Sequence, residues 1–194
     1  MMVKICGITN RDDALAAVEA GASALGFNFY RESPRYISPT GAATIGEKIP
    51  ANVWKVGVFV HETPETIARI VIDAGLDIAQ LHGTSEARGT RIWRAYQADE
   101  SLLDQTVDRG AEALLIDTPS AELYGGTGET FDWTLAKELS IKTVIAGGLD
   151  AGNVQLAIEQ AQPWGVDACS RIERCPGLKD RDKMRRFIAA ALGN

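Results

Sequence analysis

Eight short apolar runs recur along the chain, and what separates them limits the folds open to it. The runs are Val3 to Cys6, Ala24 to Phe29, Val56 to Val60, Ile78 to Leu81, Ile92 to Ala95, Ala113 to Ile116, Thr143 to Ala146 and Val166 to Cys169. Each is short, rich in Val, Ile, Leu, Phe or Ala, and followed by an amphipathic stretch, the pattern of a buried strand leading into a helix. A strand followed by a helix, eight times, implies an α/β fold with a parallel sheet and helical crossovers. Eight such units close into a (β/α)8 barrel more naturally than they form one open sheet. The 194 residues allow each unit about 24, enough for a short strand, a short helix and two tight loops. No Pro/Gly/Ser linker or charge block interrupts the alternation, so residues 1–194 are expected to form a single compact domain with short loops and no lid.

Local signals place the helices. Ser38-Pro39 and Thr63-Pro64 each read as an N-cap followed by proline at the first helical position, and Asp150 and Asp180 read as further caps. After Asp180, the spacing of Met184, Phe187, Ile188, Ala191 and Leu192 draws one buried stripe on a terminal helix. Glycines 21, 75, 110 and 165 stand where helices should stop in left-handed C-caps. Helix signals after the fourth and fifth strands are weaker. Gly21-Ala22-Ser23-Ala24-Leu25 resembles Gly110-Ala111-Glu112-Ala113-Leu114, and Gly75-Leu76-Asp77 resembles Gly165-Val166-Asp167, an echo at the spacing of two four-unit halves.

Composition narrows the function. A net charge of -6, from 20 Lys+Arg against 26 Asp+Glu, repels phosphate backbones and argues against a nucleic-acid partner. No window approaches the apolar length of a membrane span, and Met1 runs into the first apolar run without a basic leader or cleavage site, so the expected location is the cytoplasm. Cys6, Cys169 and Cys175 are odd in number and widely spaced, with only His61 and His82 beside them, which fits neither a disulfide framework nor a zinc site.

In such barrels reactive groups lie at the C-terminal ends of the strands and in the loops that follow. The candidates are Cys6, Asn28, His61, His82, Arg94, Asp117, Gly147-Gly148 and Ser170-Arg171. Alternation along the first strand puts Lys4 and Cys6 on one side and Val3 and Ile5 on the other. With the apolar pair facing the helices, Lys4 lies inside the barrel beneath Cys6, where its charge favours the thiolate. The alternative is a cysteine acting as a small buried hydrophobe above a lysine that reaches the bottom face. Asp117 ends an apolar strand, so its carboxyl either has a partner, keeps its proton, or caps the turn at Thr118-Pro119. Asp167 on the eighth strand neighbours the first once the barrel closes and can pair with Lys4. Gly125-Gly126-Thr127-Gly128 and Gly147-Gly148-Leu149-Asp150 suggest a phosphate cup, although no GxxxxGK[ST] or GxGxxG is present.

Taken in order, Lys4-Ile5-Cys6-Gly7-Ile8-Thr9, Gly26-Phe27-Asn28-Phe29-Tyr30, Ser33-Pro34-Arg35-Tyr36, Gln80-Leu81-His82-Gly83, Gly125-Gly126-Thr127-Gly128 with Phe131-Asp132-Trp133, Ala146-Gly147-Gly148-Leu149 and Pro176-Gly177-Leu178-Lys179-Asp180 resemble the phosphoribosylanthranilate isomerases of tryptophan biosynthesis, from residue 3 to about 188. The resemblance implies a (β/α)8 barrel and an Amadori rearrangement of N-(5'-phosphoribosyl)anthranilate to 1-(2-carboxyphenylamino)-1-deoxyribulose 5-phosphate. By that resemblance Cys6 matches the general base and Asp117 the general acid, Arg35 a substrate-contacting arginine, and the glycine segments with Ser170 a phosphate site. The chemistry agrees. Opening the sugar ring needs a proton held by Asp117 well above its ordinary value of about 3.9, and moving the carbonyl needs a base such as a Cys6 thiolate, from a thiol of ordinary pKa about 8.5. No metal or cofactor is required.

His82 is expected to orient a loop or the substrate, and Asp167 to set the surroundings of Cys6. One departure stands out: where a serine followed by glycine is expected, Ser170 is followed by Arg171. Arg171 either adds charge to the phosphate cup or pairs with Glu173 or another acid. The expected partner is thus a small phosphorylated aminoaldose, with the chain a monomer or homodimer. Two rivals remain: the related barrel of the histidine pathway, which uses two aspartates where Cys6 argues against it, and a silent barrel that only binds a phosphorylated ligand.

Overall fold

Hydrogen-bonded strands close on themselves in the computed structural model, which describes residues 1–98, 110–117, 136–137 and 139–194. In chain order the barrel strands are β1 (Met2–Ile5), β2 (Ala24–Asn28), β3 (Trp54–Val60), β4 (Ile78–His82), β5 (Arg91–Gln97), β6 (Ala113–Asp117), β7 (Lys142–Ala146) and β8 (Gly165–Ala168). Each pairs in parallel with the next, and β8 returns to β1 with Lys4 opposite Asp167 and Ile5 opposite Ala168. All eight expected strands are present within one or two residues of the apolar runs, with Cys6 and Cys169 one residue past the ends of β1 and β8.

Five helices cover the barrel among the described residues: α1 (Arg11–Glu19), α2 (Pro39–Gly46), α3 (Pro64–Asp73), α4 (Val154–Ala161) and α5 (Arg181–Leu192). Ser38 and Thr63 cap α2 and α3 as expected, accepting from the Gly41 and Thr66 amides, and Asp180 caps α5 through the Asp182 and Lys183 amides. Asn10 caps α1. Asp150 does not cap a helix. Its side chain closes a tight turn on the Gly152 amide, and α4 begins only after Asn153. Strand follows strand without a helix between β4 and β5, because the eight residues from Gly83 to Thr90 are too few and carry glycine at positions 83 and 89.

The glycines divide. Gly21 and Gly75 take the left-handed conformation, with φ of 106° and 59°. Gly110 and Gly165 do not, and Gly165 opens β8 for a steric reason: a Cβ there would come within 2.4 Å of the Met2 side chain and 2.9 Å of its carbonyl oxygen. The C-cap of α4 is Gln162 instead. On α5, Met184, Phe187, Ile188 and Ala191 are buried as the stripe requires, whereas Leu192 at its end is 38% exposed.

Alternation sorts the strand side chains into two cores. Val3, Ile5, Leu25, Phe27, Ala79, Leu81, Ile116, Ile145 and Val166 point outward under the helices. Met2, Ala24, Val56, Ile78, Trp93, Ala113, Leu115 and Val144 fill the interior. The lower end is plugged by aromatic rings, Trp93 lying edge-on to Trp54 and Trp164 at 6.2 and 5.8 Å while those two stack at 5.7 Å. Arg91 and Lys142 lie over the outer rings of this plug and share Glu112. Above the apolar layers the inward positions turn polar, with Lys4, Gln80, His82, Asp117 and Asp167.

Trp93 is fully buried and its indole N–H makes no hydrogen bond among the described residues, so its contribution is packing. Trp93→Ala should therefore lower the unfolding free energy by about 3–5 kcal/mol, with Trp93→Phe costing much less because it fills most of the space and removes an unpaired donor. Urea denaturation of the two variants checks this, and equal losses would show that the ring's volume is not what matters.

Candidate active site

The upper rim gathers the polar ends of the strands. Lys4 is the most constrained of them: fully buried, it gives its ammonium to Asp167 Oδ2 at 2.8 Å, across the seam where β8 meets β1. The expected pair exists. Burial works against the Lys4 charge, but the negative groups Asp167 and Cys6 outweigh it and raise its pKa. Burial also pushes Asp167 up to about 7, the Lys4 charge opposing it, and Asp167 Oδ1 makes no hydrogen bond among the described residues.

Cys6 lies one step above Lys4 on the same inward side. The adjoining Cys169 thiol, together with the Lys4 and Lys179 charges, drives its pKa well below the ordinary thiol value despite burial. Cys169 moves the opposite way for the same reason. The space for Cys6 comes from Gly26 on β2, where a Cβ would lie 2.8 Å from the Cys6 sulfur. Gly7, at φ 72°, clears a path for Arg35 and Cys169, which a Cβ would meet at 2.8 and 3.0 Å. Both glycines fall inside sequence motifs, but the groups they admit come from distant parts of the chain.

Asp117 ends β6, three strands round the rim from β1 through β8 and β7. Burial, and then the negative charge at Cys6, raises its pKa, with Lys4 opposing. The turn at Thr118-Pro119 that was its alternative role lies outside the described residues, as do Gly125 to Gly128 and Phe131 to Trp133. His82 ends β4, and burial lowers its pKa, so it is a neutral ring; Gln80 donates its amide to His82 Nε2 at 2.9 Å. Arg94 shares the outward parity of Ile92 and Tyr96 and bonds the Ser85 carbonyl, which takes it off the barrel mouth. His61 follows β3 in a left-handed conformation with φ 52°.

Arg35 arrives on the loop after β2. Asn28 holds that loop by accepting from the Tyr30 amide and donating to Ser33, and Ser33 in turn accepts from the Arg35 amide. The Arg35 guanidinium grips Glu173 through Nε and Nη2 at 2.7–3.1 Å, and Lys179, wholly buried, binds the same carboxylate at 2.9 Å. Glu173 and Lys179 belong to a two-stranded ribbon that follows β8, β9 (Glu173–Cys175) and β10 (Leu178–Lys179). Sequence reasoning offered Glu173 only as a partner for Arg171 and gave Lys179 no role, because 138 residues separate Arg35 from Glu173 and no local spacing links them. Cys175 is exposed on β9.

At the neighbouring ends of β7 and β8 lie the remaining candidates. Gly147 and Gly148 take consecutive positive φ values of 88° and 61°, and the Gly148 carbonyl is fixed by Asn153. Ser170 and Arg171 are exposed on a short 3-10 turn. Glu173 is committed to Arg35 and Lys179, so Arg171 has a different acid for its neighbour: its Nε stands 3.9 Å from Asp150 Oδ2, a loose contact between two half-exposed groups. The mouth thus gathers a thiol displaced toward its charged form, a carboxyl displaced toward its neutral form, and arginines on the loops after β2 and β8.

Comparison with known proteins identifies the family. The family model described as N-(5'phosphoribosyl)anthranilate (PRA) isomerase matches residues 3–190. The N-(5'-phosphoribosyl)anthranilate isomerase of Solibacter usitatus is 51% identical, over 98% of this chain and 97% of the relative. A crystal structure of phosphoribosyl anthranilate isomerase from Thermotoga maritima superposes with a TM-score of 0.89 at 39% identity, covering both chains fully. A second such isomerase, crystallised with reduced 1-(o-carboxyphenylamino)-1-deoxyribulose 5-phosphate, gives a TM-score of 0.85 at 35% identity, again over the whole of both chains. A family match across nearly the whole barrel, including every polar strand end described above, means that this chain belongs to the phosphoribosylanthranilate isomerase family.

Proposed function

We propose that the chain converts N-(5'-phosphoribosyl)anthranilate to 1-(2-carboxyphenylamino)-1-deoxyribulose 5-phosphate, with Asp117 as general acid and Cys6 as general base. The observation that carries this reading is the opposed displacement of the two groups, Cys6 toward the thiolate and Asp117 toward the protonated acid. Each negative charge makes the other harder to form, so one pocket supports a base and an acid together.

The chemistry follows from the two protonation states. Asp117 gives its proton to the ring oxygen of the aminoaldose, the C1–O bond opens, and the nitrogen lone pair forms a cationic imine. That cation acidifies the C2 hydrogen, which the Cys6 thiolate removes. The resulting enolamine becomes the ketose when its enol proton is lost and C1 is protonated. Lys4 and Cys169 stabilise the thiolate before the reaction rather than touching the sugar. Arg35, held by Glu173, presents a fixed positive charge to the substrate's anthranilate carboxylate, and neutral His82 with Gln80 orients the sugar from β4. Gly147, Gly148, Ser170 and Arg171 form the phosphate end, and Asp167 acts from beneath the site through Lys4. All of these groups come from one chain. The cytoplasm suits such an enzyme, because a reducing compartment keeps the Cys6 sulfur free.

Cys6→Ala and Asp117→Asn should each lower turnover of phosphoribosylanthranilate by roughly 10²-fold to 10⁴-fold in a folded barrel. A fluorescence assay with freshly made substrate reads this. Near-normal turnover in Cys6→Ala would require a different base, and activity of the native chain on the histidine-pathway aminoaldose alone would replace the reaction.

Arg171 provides a separate test of the phosphate end. A charge-assisted contact to a group remote from the reacting carbons is made in ground state and transition state alike, so Arg171→Ala should raise KM and leave kcat little changed. An unchanged KM removes Arg171 from the site and leaves it as the neighbour of Asp150.

A further inference from the structure

We propose that Cys6 and Cys169 are a redox pair, which a peroxide converts to a disulfide that switches the barrel off. The geometry comes from the β-sheet register. Lys4 faces Asp167 and Ile5 faces Ala168 across the seam, and the Cys6 amide still bonds the Ala168 carbonyl at 2.9 Å, so the next facing positions are Cys6 and Cys169. Alternation turns both inward, as it does Lys4 and Asp167 beneath them. Neighbouring parallel strands stand about 4.8 Å apart, within the roughly 4.4–6.8 Å separation of α-carbons that a disulfide tolerates. Both thiols are free, and both are partly exposed at the mouth.

The neighbours favour the chemistry. Lys4 lies below Cys6, and Lys179 reaches to 3.9 Å from the Cys169 sulfur while bonding its carbonyl, so positive charge adjoins each sulfur. A thiolate in such a place is a nucleophile toward peroxide. The Cys6 sulfur attacks one peroxide oxygen, the O–O bond breaks, hydroxide leaves and is protonated to water, and Cys6 becomes the sulfenic acid. The Cys169 sulfur then attacks the Cys6 sulfur, its proton leaving with the departing hydroxide as a second water. Two thiols lose two electrons and hydrogen peroxide is reduced to two waters. The product has no thiolate at Cys6, so the proposed isomerase activity ceases until a dithiol restores it.

The test exposes the native chain, Cys169→Ser and Cys175→Ser to hydrogen peroxide and follows intact mass, disulfide mapping and activity relative to each variant's own reduced state. Native protein and Cys175→Ser should lose two hydrogens, show a Cys6–Cys169 peptide, and regain activity in dithiothreitol. Cys169→Ser keeps a hydroxyl donor beside Cys6 but has no resolving sulfur; it should pass to sulfinic and sulfonic acids and stay inactive after reduction. Mass and mapping are independent of what the enzyme catalyses, so a wrong reaction would leave that part of the test intact. Oxidation without the intramolecular bridge, a bridge to Cys175, or equal recovery in Cys169→Ser would overturn the pair.

Discussion

A lysine with no exposure to water, buried between the first and last strands, is the constraint on which the rest of the barrel's upper half depends. Its ammonium must find negative charge, and Asp167 supplies it at the point where the sheet closes. Such a pair is poor value for stability: desolvating both ions offsets most of their attraction, yet removing one partner costs about 3–5 kcal/mol because the other is left bare. Its consequence is local. It fixes a positive centre under Cys6, and that centre, with the Cys169 thiol and Lys179, favours charge on the sulfur.

The interior is divided to make this possible. Below Lys4 the strands contribute apolar side chains and three tryptophans, which exclude water and close the bottom. Above it they contribute Cys6, His82, Asp117 and the glycine ends of β7. The same low-polarity surroundings act with opposite sign on groups of different type and neighbourhood. Asp117, far from a dominant cation, is pushed toward its neutral form, whereas Cys6 has donors close enough to outweigh burial. A second charged chain, Arg35–Glu173–Lys179, ties the loop after β2 to the ribbon after β8 and gives the mouth a fixed positive edge.

Much of this was legible in the sequence because it follows from short-range periodicity. The eight apolar runs located the strands, alternation placed Lys4 beneath Cys6, and the closure rule put Asp167 beside it. Proline after serine or threonine located two helix starts. What could not be read depended on contacts between distant segments. Gly165 looked like a helix cap but is small because Met2 crosses it. Arg94 looked like a strand-end candidate, yet its parity turns it outward. Glu173 was a conceivable partner for Arg171 and is instead taken by Arg35 and Lys179. The pairing of Cys6 with Cys169 needed the register of β1 against β8, which no composition or spacing supplies.

The proposed chemistry turns on the charge state of one sulfur. Ultraviolet thiolate absorbance of the native chain as a function of pH, set against that of Cys6→Ser and of Cys169→Ser, assigns the first thiolate to form. Cys6 should ionise well below the ordinary thiol range, and a Lys4→Met/Asp167→Asn variant, which removes the buried charges together, should move the transition upward. An ordinary thiol transition in the native chain would contradict that chemistry, and so would a low transition unchanged in the variant, because the field at Cys6 would then not come from Lys4.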